Sequence, residues 1–140
     1  MNVPSKDIEE MLEADGNVDT TTFPIDRAVL DEIKSNCAAI LDFSGRKPQL
    51  TMDNAKYEFP TVQIAVKCVD YDAGWDFISD VIDSLHGRAH ENLNGAYYSL
   101  IECINGPTFI KRENQRTIFV ANFMIQRRVD ETYVSSSIVP

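Results

Sequence analysis

No run in this sequence approaches the ~20 apolar residues that a membrane-spanning helix needs. Positive charge is scarce. Thirteen Lys and Arg stand against 22 Asp and Glu, for a formal net charge of −9. A chain of that sign has no bulk attraction for phosphates, which disfavours general nucleic-acid binding. Cysteine occurs three times, as Cys37, Cys68 and Cys103, so no complete disulfide pairing exists. All three lie in apolar runs and read as reduced thiols packed as small hydrophobes. The six glycines are spread singly, and neither a Gly-x-x-x-x-Gly-Lys phosphate loop nor a Gly-x-Ser-x-Gly elbow occurs. The first ten residues lack the basic start and apolar centre of a signal peptide, so folding in a cytosol is expected.

What remains is ordinary globular material. With 140 residues and 44% hydrophobic content, one domain is expected, large enough to fold without a disulfide or metal staple. Residues 5–14 read as a short amphipathic helix, with Ser5 as its cap, an apolar stripe of Ile8, Met11 and Leu12, and Gly16 as its stop. Residues 26–34 allow a helical turn or two. Residues 37–43 read as a strand, which Ser44-Gly45-Arg46-Lys47-Pro48 turns into a loop running to Phe59-Pro60. Val62, Ile64, Val66 and Cys68 alternate with Gln63, Ala65 and Lys67, the period of a half-buried strand. Asp70 then caps a helix whose stripe is Tyr71, Trp75, Ile78, Ile82 and Leu85, stopped by Gly87. Asn94-Gly95 predicts a tight hairpin between strands at 90–93 and 96–104, with Gly106-Pro107 closing the second. A further hairpin joins 109–112 to 117–129 across Glu113-Asn114-Gln115. The expected fold is α+β, a single domain over residues 1–129. Its mostly antiparallel, twisted sheet has helices packed on one face. Residues 130–140 read as a flexible polar tail.

Features that resemble chemistry fail on spacing. His86 and His90 are four apart, but Gly87 lies between them where the helix should stop, and no third ligand pattern follows. No catalytic, cofactor or metal residue is assigned. Asp72, Asp76, Asp80 and Asp83 line one exposed helix face, which reads as solvated or as a docking surface for a basic partner. Charge is nonetheless segregated. Residues 61–105 are strongly acidic, whereas 106–140 carry Lys111, Arg112, Arg116, Arg127 and Arg128. Two faces of opposite sign suit head-to-tail contacts between copies, so these nine residues are the candidate subunit interface.

The run from Tyr57 to Lys67, Tyr-Glu-Phe-Pro-Thr-Val-Gln-Ile-Ala-Val-Lys, resembles a signature of tailed-bacteriophage minor capsid and tail terminator proteins. The resemblance continues through Asp70-Tyr71, Leu85-His86-Gly87, Asn94-Gly95, Gly106-Pro107 and a last strand ending in Arg127-Arg128. Leu41 to Pro48 is similar to the strand and loop that precede it. Lys67 and Cys68 depart from the pattern, where Arg and Gly are more usual. The resemblance covers roughly 5–129. It implies a structural virion protein with no enzymatic activity and no cofactor. Such a protein forms a homo-oligomeric ring, hexameric in the family, at the head-proximal end of the tail tube. There it ends tube growth, contacts the major tail tube protein and the head–tail connector, and lets DNA pass through its lumen unbound. A head–tail joining protein on the connector side is the nearest rival. A small cytosolic α+β enzyme or ligand-binding domain, with Tyr97, Tyr98, Glu102 and Arg112 lining a pocket, is the rival of another class.

Overall fold

The computed structural model describes residues 3–28, 30, 34–50, 55–113 and 115–130, with backbone alone for 44–50, 55–56 and 129–130. The chain runs α1 (Pro4–Ala14), β1 (Ile25–Arg27), β2 (Cys37–Leu50), β3 (Ala55–Cys68), α2 (Tyr71–Leu85), β4 (Glu91–Leu93), β5 (Ala96–Glu113) and β6 (Arg116–Asp130). One six-stranded sheet results, in the order β1-β2-β3-β6-β5-β4. Every pairing is antiparallel except β1 with β2. The single α+β domain is thus built on a mixed, curled sheet.

The alternation along β3 and β6 works as expected. Val62, Ile64, Val66 and Cys68 join Phe119, Ala121, Phe123 and Ile125 in one core, and both helices pack on it. From α1 come Ile8, Met11 and Leu12, and from α2 Phe77, Ile78, Val81 and Leu85. Phe23, on the segment after α1, stacks on Phe77 with ring centroids 4.4 Å apart. Asn94 and Gly95 both take positive φ, as a two-residue hairpin turn requires. Asp70 caps α2 by accepting the Asp72 N–H at 3.2 Å.

Four expectations are corrected. The stripe of α2 is turned: Gly74, Phe77, Ile78, Val81 and Leu85 are buried, while Tyr71 and Trp75 are nearly half exposed. Gly74 is the reason. A Cβ there would lie 2.1 Å from the Cys68 Sγ, so the helix touches the sheet at its glycine. Tyr71 and Trp75 are pushed to the side, where they meet the edge of Phe119 at 4.9 and 5.8 Å. Gly74→Ala is therefore expected to cost about 1–3 kcal/mol through overpacking, against a helix-propensity gain of about 1 kcal/mol. Adding Cys68→Gly should return much of the loss in a urea-melt cycle. A neutral Gly74→Ala would show that the helix can shift freely.

The second correction concerns α1, which is not capped by Ser5. Pro4 occupies its first turn, and the Ser5 N–H donates to Oδ1 of Asp42 on β2 at 2.9 Å. The third and fourth are strand ends. β2 does not stop at Phe43 but continues, with irregularities near Arg46, to Leu50. β5 does not stop at Gly106-Pro107 but runs through bulges to Glu113. The helical turn expected at 26–34 is not seen where the chain is described: Ile25–Arg27 is a strand, and residues 29 and 31–33 lie outside the described residues. The expected tail lies there too, beyond Asp130.

Candidate subunit interface

The five basic candidates do not form one surface. β6 carries three of them at its two ends, Arg116 at the start and Arg127 and Arg128 at the finish, roughly 40 Å apart at about 3.3 Å per residue. Lys111, Arg112 and Arg116 cluster at the tip of the β5–β6 hairpin, where Glu113 opposes Arg116. Arg112 Nη1 donates to Thr117 Oγ1 at 2.9 Å, and Arg116 Nη2 donates to Ser35 Oγ at 3.1 Å. Lys111 pairs with Glu113 at 2.8 Å and holds that carboxyl below its usual range. The Lys111 and Arg116 contacts face solvent, while the Arg112 bond ends on buried Thr117; the three residues themselves are exposed, so the tip displays positive charge.

Arg127 is elsewhere. It continues the inward face of Phe119, Ala121, Phe123 and Ile125, and it is only 4% exposed. Its Nε donates to Glu58 Oε1 at 3.2 Å and its Nη1 to the Tyr98 hydroxyl at 3.3 Å, with Asp7 Oδ2 4.0 Å away. Asp7 is completely buried. It accepts from the Tyr98 hydroxyl and, at 2.7 Å, from Asn94 Nδ2. Burial, then the bond to Asp7, pushes the Tyr98 phenol well above its ordinary pKa, so it stays a neutral donor. This network ties α1 to the sheet and was not anticipated. Asp7 lies one residue before Ile8 and four before Met11, on the apolar side of α1, which was the signal. Arg128 faces the other way, its guanidinium 5.1 Å from the Tyr97 ring centroid.

Asp72, Asp76, Asp80 and Asp83 are all exposed along α2. The row spans about 16 Å at about 1.5 Å per residue. Asp15, from the end of α1, extends it. With Asn17, Asp80, Asp83 and Ser84 it borders a depression of about 440 Å³. Partial burial, then the carboxylates of Asp83, Asp76 and Asp15, raise the Asp80 pKa. A carboxyl raised in the folded state favours folding below its unfolded pKa and loses that contribution as pH rises through the folded value. At neutral pH Asp80 is therefore a mild liability, discounted because it is solvent-screened. Asp80→Asn is expected to raise Tm by about 1–3 °C at pH 7, and to give no gain near pH 3, in thermal melts at both values. Equal shifts at the two pH values would remove repulsion as the cause.

Among the described residues, no cluster of metal-ligating side chains accompanies these surfaces. His86 Nδ1 accepts the Cys103 N–H at 2.9 Å, and His90 meets the Tyr97 hydroxyl at 2.5 Å. Among the described residues, no three His, Cys, Asp or Glu side chains are grouped to hold a metal. Cys37 and Cys68 are buried and Cys103 is partly so, and burial raises the thiol pKa of Cys68 and Cys103. No described helix is long and apolar enough to cross a membrane.

No curated protein matches the sequence. Several solved chains match, and one of them shares the fold with a TM-score of 0.63 at 12% identity, covering 86% of this chain and 91% of that chain. It belongs to a structure titled "Virion of native gene transfer agent (GTA) particle". A family model described as bacteriophage tail terminator protein matches residues 12–129.

Proposed function

The chain belongs to the bacteriophage tail terminator family, and on that premise we propose that its copies form a hexameric ring at the head-proximal end of a phage tail tube. Family membership makes it a structural protein of the virion tail, not an enzyme. The ring ends tube growth by occupying the last position, and it offers its far side to the head connector. The family match over residues 12–129 carries this reading. The displayed charge supports it. The hairpin tip of Lys111, Arg112 and Arg116 is the positive half of the contact between copies. The acidic row of α2, Asp72, Asp76, Asp80 and Asp83, is a separate surface on the helix layer. It fits a partner in the adjoining tail that presents basic residues.

The experiment has two arms. Negative-stain images of the purified chain should show rings of one diameter, and featureless small particles at high concentration would remove autonomous ring formation. Phage assembled without this chain should carry tubes of uncontrolled length. Tubes of normal length would overturn the terminator role, and chain labelled on the head side of the joint would place it in the connector instead.

A further inference from the structure

We propose that neighbouring copies join by continuing the sheet, the open edge of β5 in one copy pairing with the open edge of β2 in the next. This rests on the self-association proposed above and names the surfaces that perform it. β1 pairs with β2 only at 38–40, and β4 pairs with β5 only at 96–98. The turn after α2 bonds to β5 at Ile101, and His86 takes the Cys103 N–H. Among the described residues, no strand covers the outer side of Leu41–Leu50 or of Ile104–Glu113. Each edge is ten residues long.

The edges cannot satisfy one another within a copy. They lie on opposite flanks of the sheet and toward opposite ends of it. One end holds Cys37, Lys67, Ile118 and Lys111 in register, and the other Leu50, Lys56, Val129 and Ala96. Between copies the fit is different. β2 and β5 run in opposite directions, since three antiparallel pairings separate them, so lateral repetition brings them together antiparallel. Set flush, with Leu41 against Glu113, the edges place Asp42 opposite Arg112. Farther along, past the irregularities in both strands, Pro48 interrupts one edge and Gly106-Pro107 the other at a similar distance from that end. Proline has no N–H to give and is tolerated only at strand edges. Each edge thus carries its defect in the same part of the seam.

The side chains on these edges want cover. Ile104, Phe109 and Ile110 on β5 and Phe43 on β2 are each about half exposed (49%, 49%, 50% and 50%). The basic tip would then reach the α1 and β1 side of the next copy, where Glu9, Glu13 and Asp26 lie, with Arg27 and Lys34 among them. One edge meeting a different edge is a head-to-tail contact, which closes into a ring when the rotation allows.

Engineered disulfides test this on the full chain. Phe43→Cys with Lys111→Cys, in a Cys103→Ser background, brings the two thiols opposite each other across the proposed seam, within the ~5 Å of cross-strand neighbours. Both positions are exposed, so folding should survive. Oxidation at a concentration where light scattering shows the oligomer should give a ladder of covalent multimers on denaturing gels. Neither single variant, nor Phe43→Cys with Asp80→Cys, should do so. An oligomer without the ladder, for this pair and for Asp42→Cys with Arg112→Cys, would overturn the edge pairing and leave the ring standing. A monomer at every concentration would overturn both. An equal ladder from the Asp80 pair would mean random collision and overturn the seam.

Discussion

Arg127→Ala is expected to destabilise the fold by about 3–5 kcal/mol, the usual loss when one partner of a buried ion pair is removed. For a domain of this size that is about 10–15 °C in Tm. The reason lies in what is left behind. Asp7 stays fully buried, with the Tyr98 hydroxyl and Asn94 amide still donating to it but without the guanidinium beside it. Glu58 loses its 3.2 Å partner at the same time. Adding Asp7→Asn should return part of the loss, because a neutral amide does not need a countercharge. Urea melts of the wild type, both single variants and the double variant would measure the coupling. A loss below about 1 kcal/mol for Arg127→Ala would show that the network is not held by charge. The same geometry makes reversal of Arg127 a poor probe of assembly, since a glutamate there would face Asp7 and Glu58 and unfold the copy before any ring could be scored.

The position of Arg127 was legible. The inward face of β6 is a strict alternation through Phe119, Ala121, Phe123 and Ile125, and the next odd residue is Arg127. A charged residue reads as surface, but alternation is a property of the backbone and continues past the last apolar side chain. β3, α2 and the Asn94-Gly95 hairpin were legible for the same reason: each has a period or a turn that one residue type satisfies. Ser44-Gly45-Arg46-Lys47-Pro48 and Gly106-Pro107 misled because glycine and proline punctuate most strands. Here they sit on edges, where no neighbour asks for the missing N–H. The rotation of α2 was hidden because a glycine adds nothing to an apolar stripe, yet it sets where the helix touches the sheet. The cap of α1 came from Asp42, 37 residues from Ser5, and local sequence does not encode such a partner.

Reversing Lys111, Arg112 and Arg116 to Glu together should abolish self-association while leaving the fold intact. The contacts of Lys111 and Arg116 are exposed and worth about 0–1 kcal/mol each, and the Arg112 bond to buried Thr117 is worth about 1–3 kcal/mol, so the triple variant should stay folded with a modestly lowered Tm. Association responds differently, because the reversed tip would meet Glu9, Glu13 and Asp26 on the α1 and β1 side of the next copy. Like charges set against each other across an interface cost several kcal/mol, so association should weaken by at least about 100-fold. Asp76, Asp80 and Asp83 changed together to Asn should behave in the opposite way. That variant keeps the seam and the ring, gains slightly in stability from relieved repulsion, and loses attachment to the adjoining tail. Sedimentation reads the first variant, and complementation of phage lacking the chain reads the second. A tip-reversed chain that sediments as wild type would move the contact off the hairpin. Loss of rings in the asparagine variant would put the acidic row in the seam itself, beside the β5 edge on which α2 packs, and overturn its assignment to a separate surface.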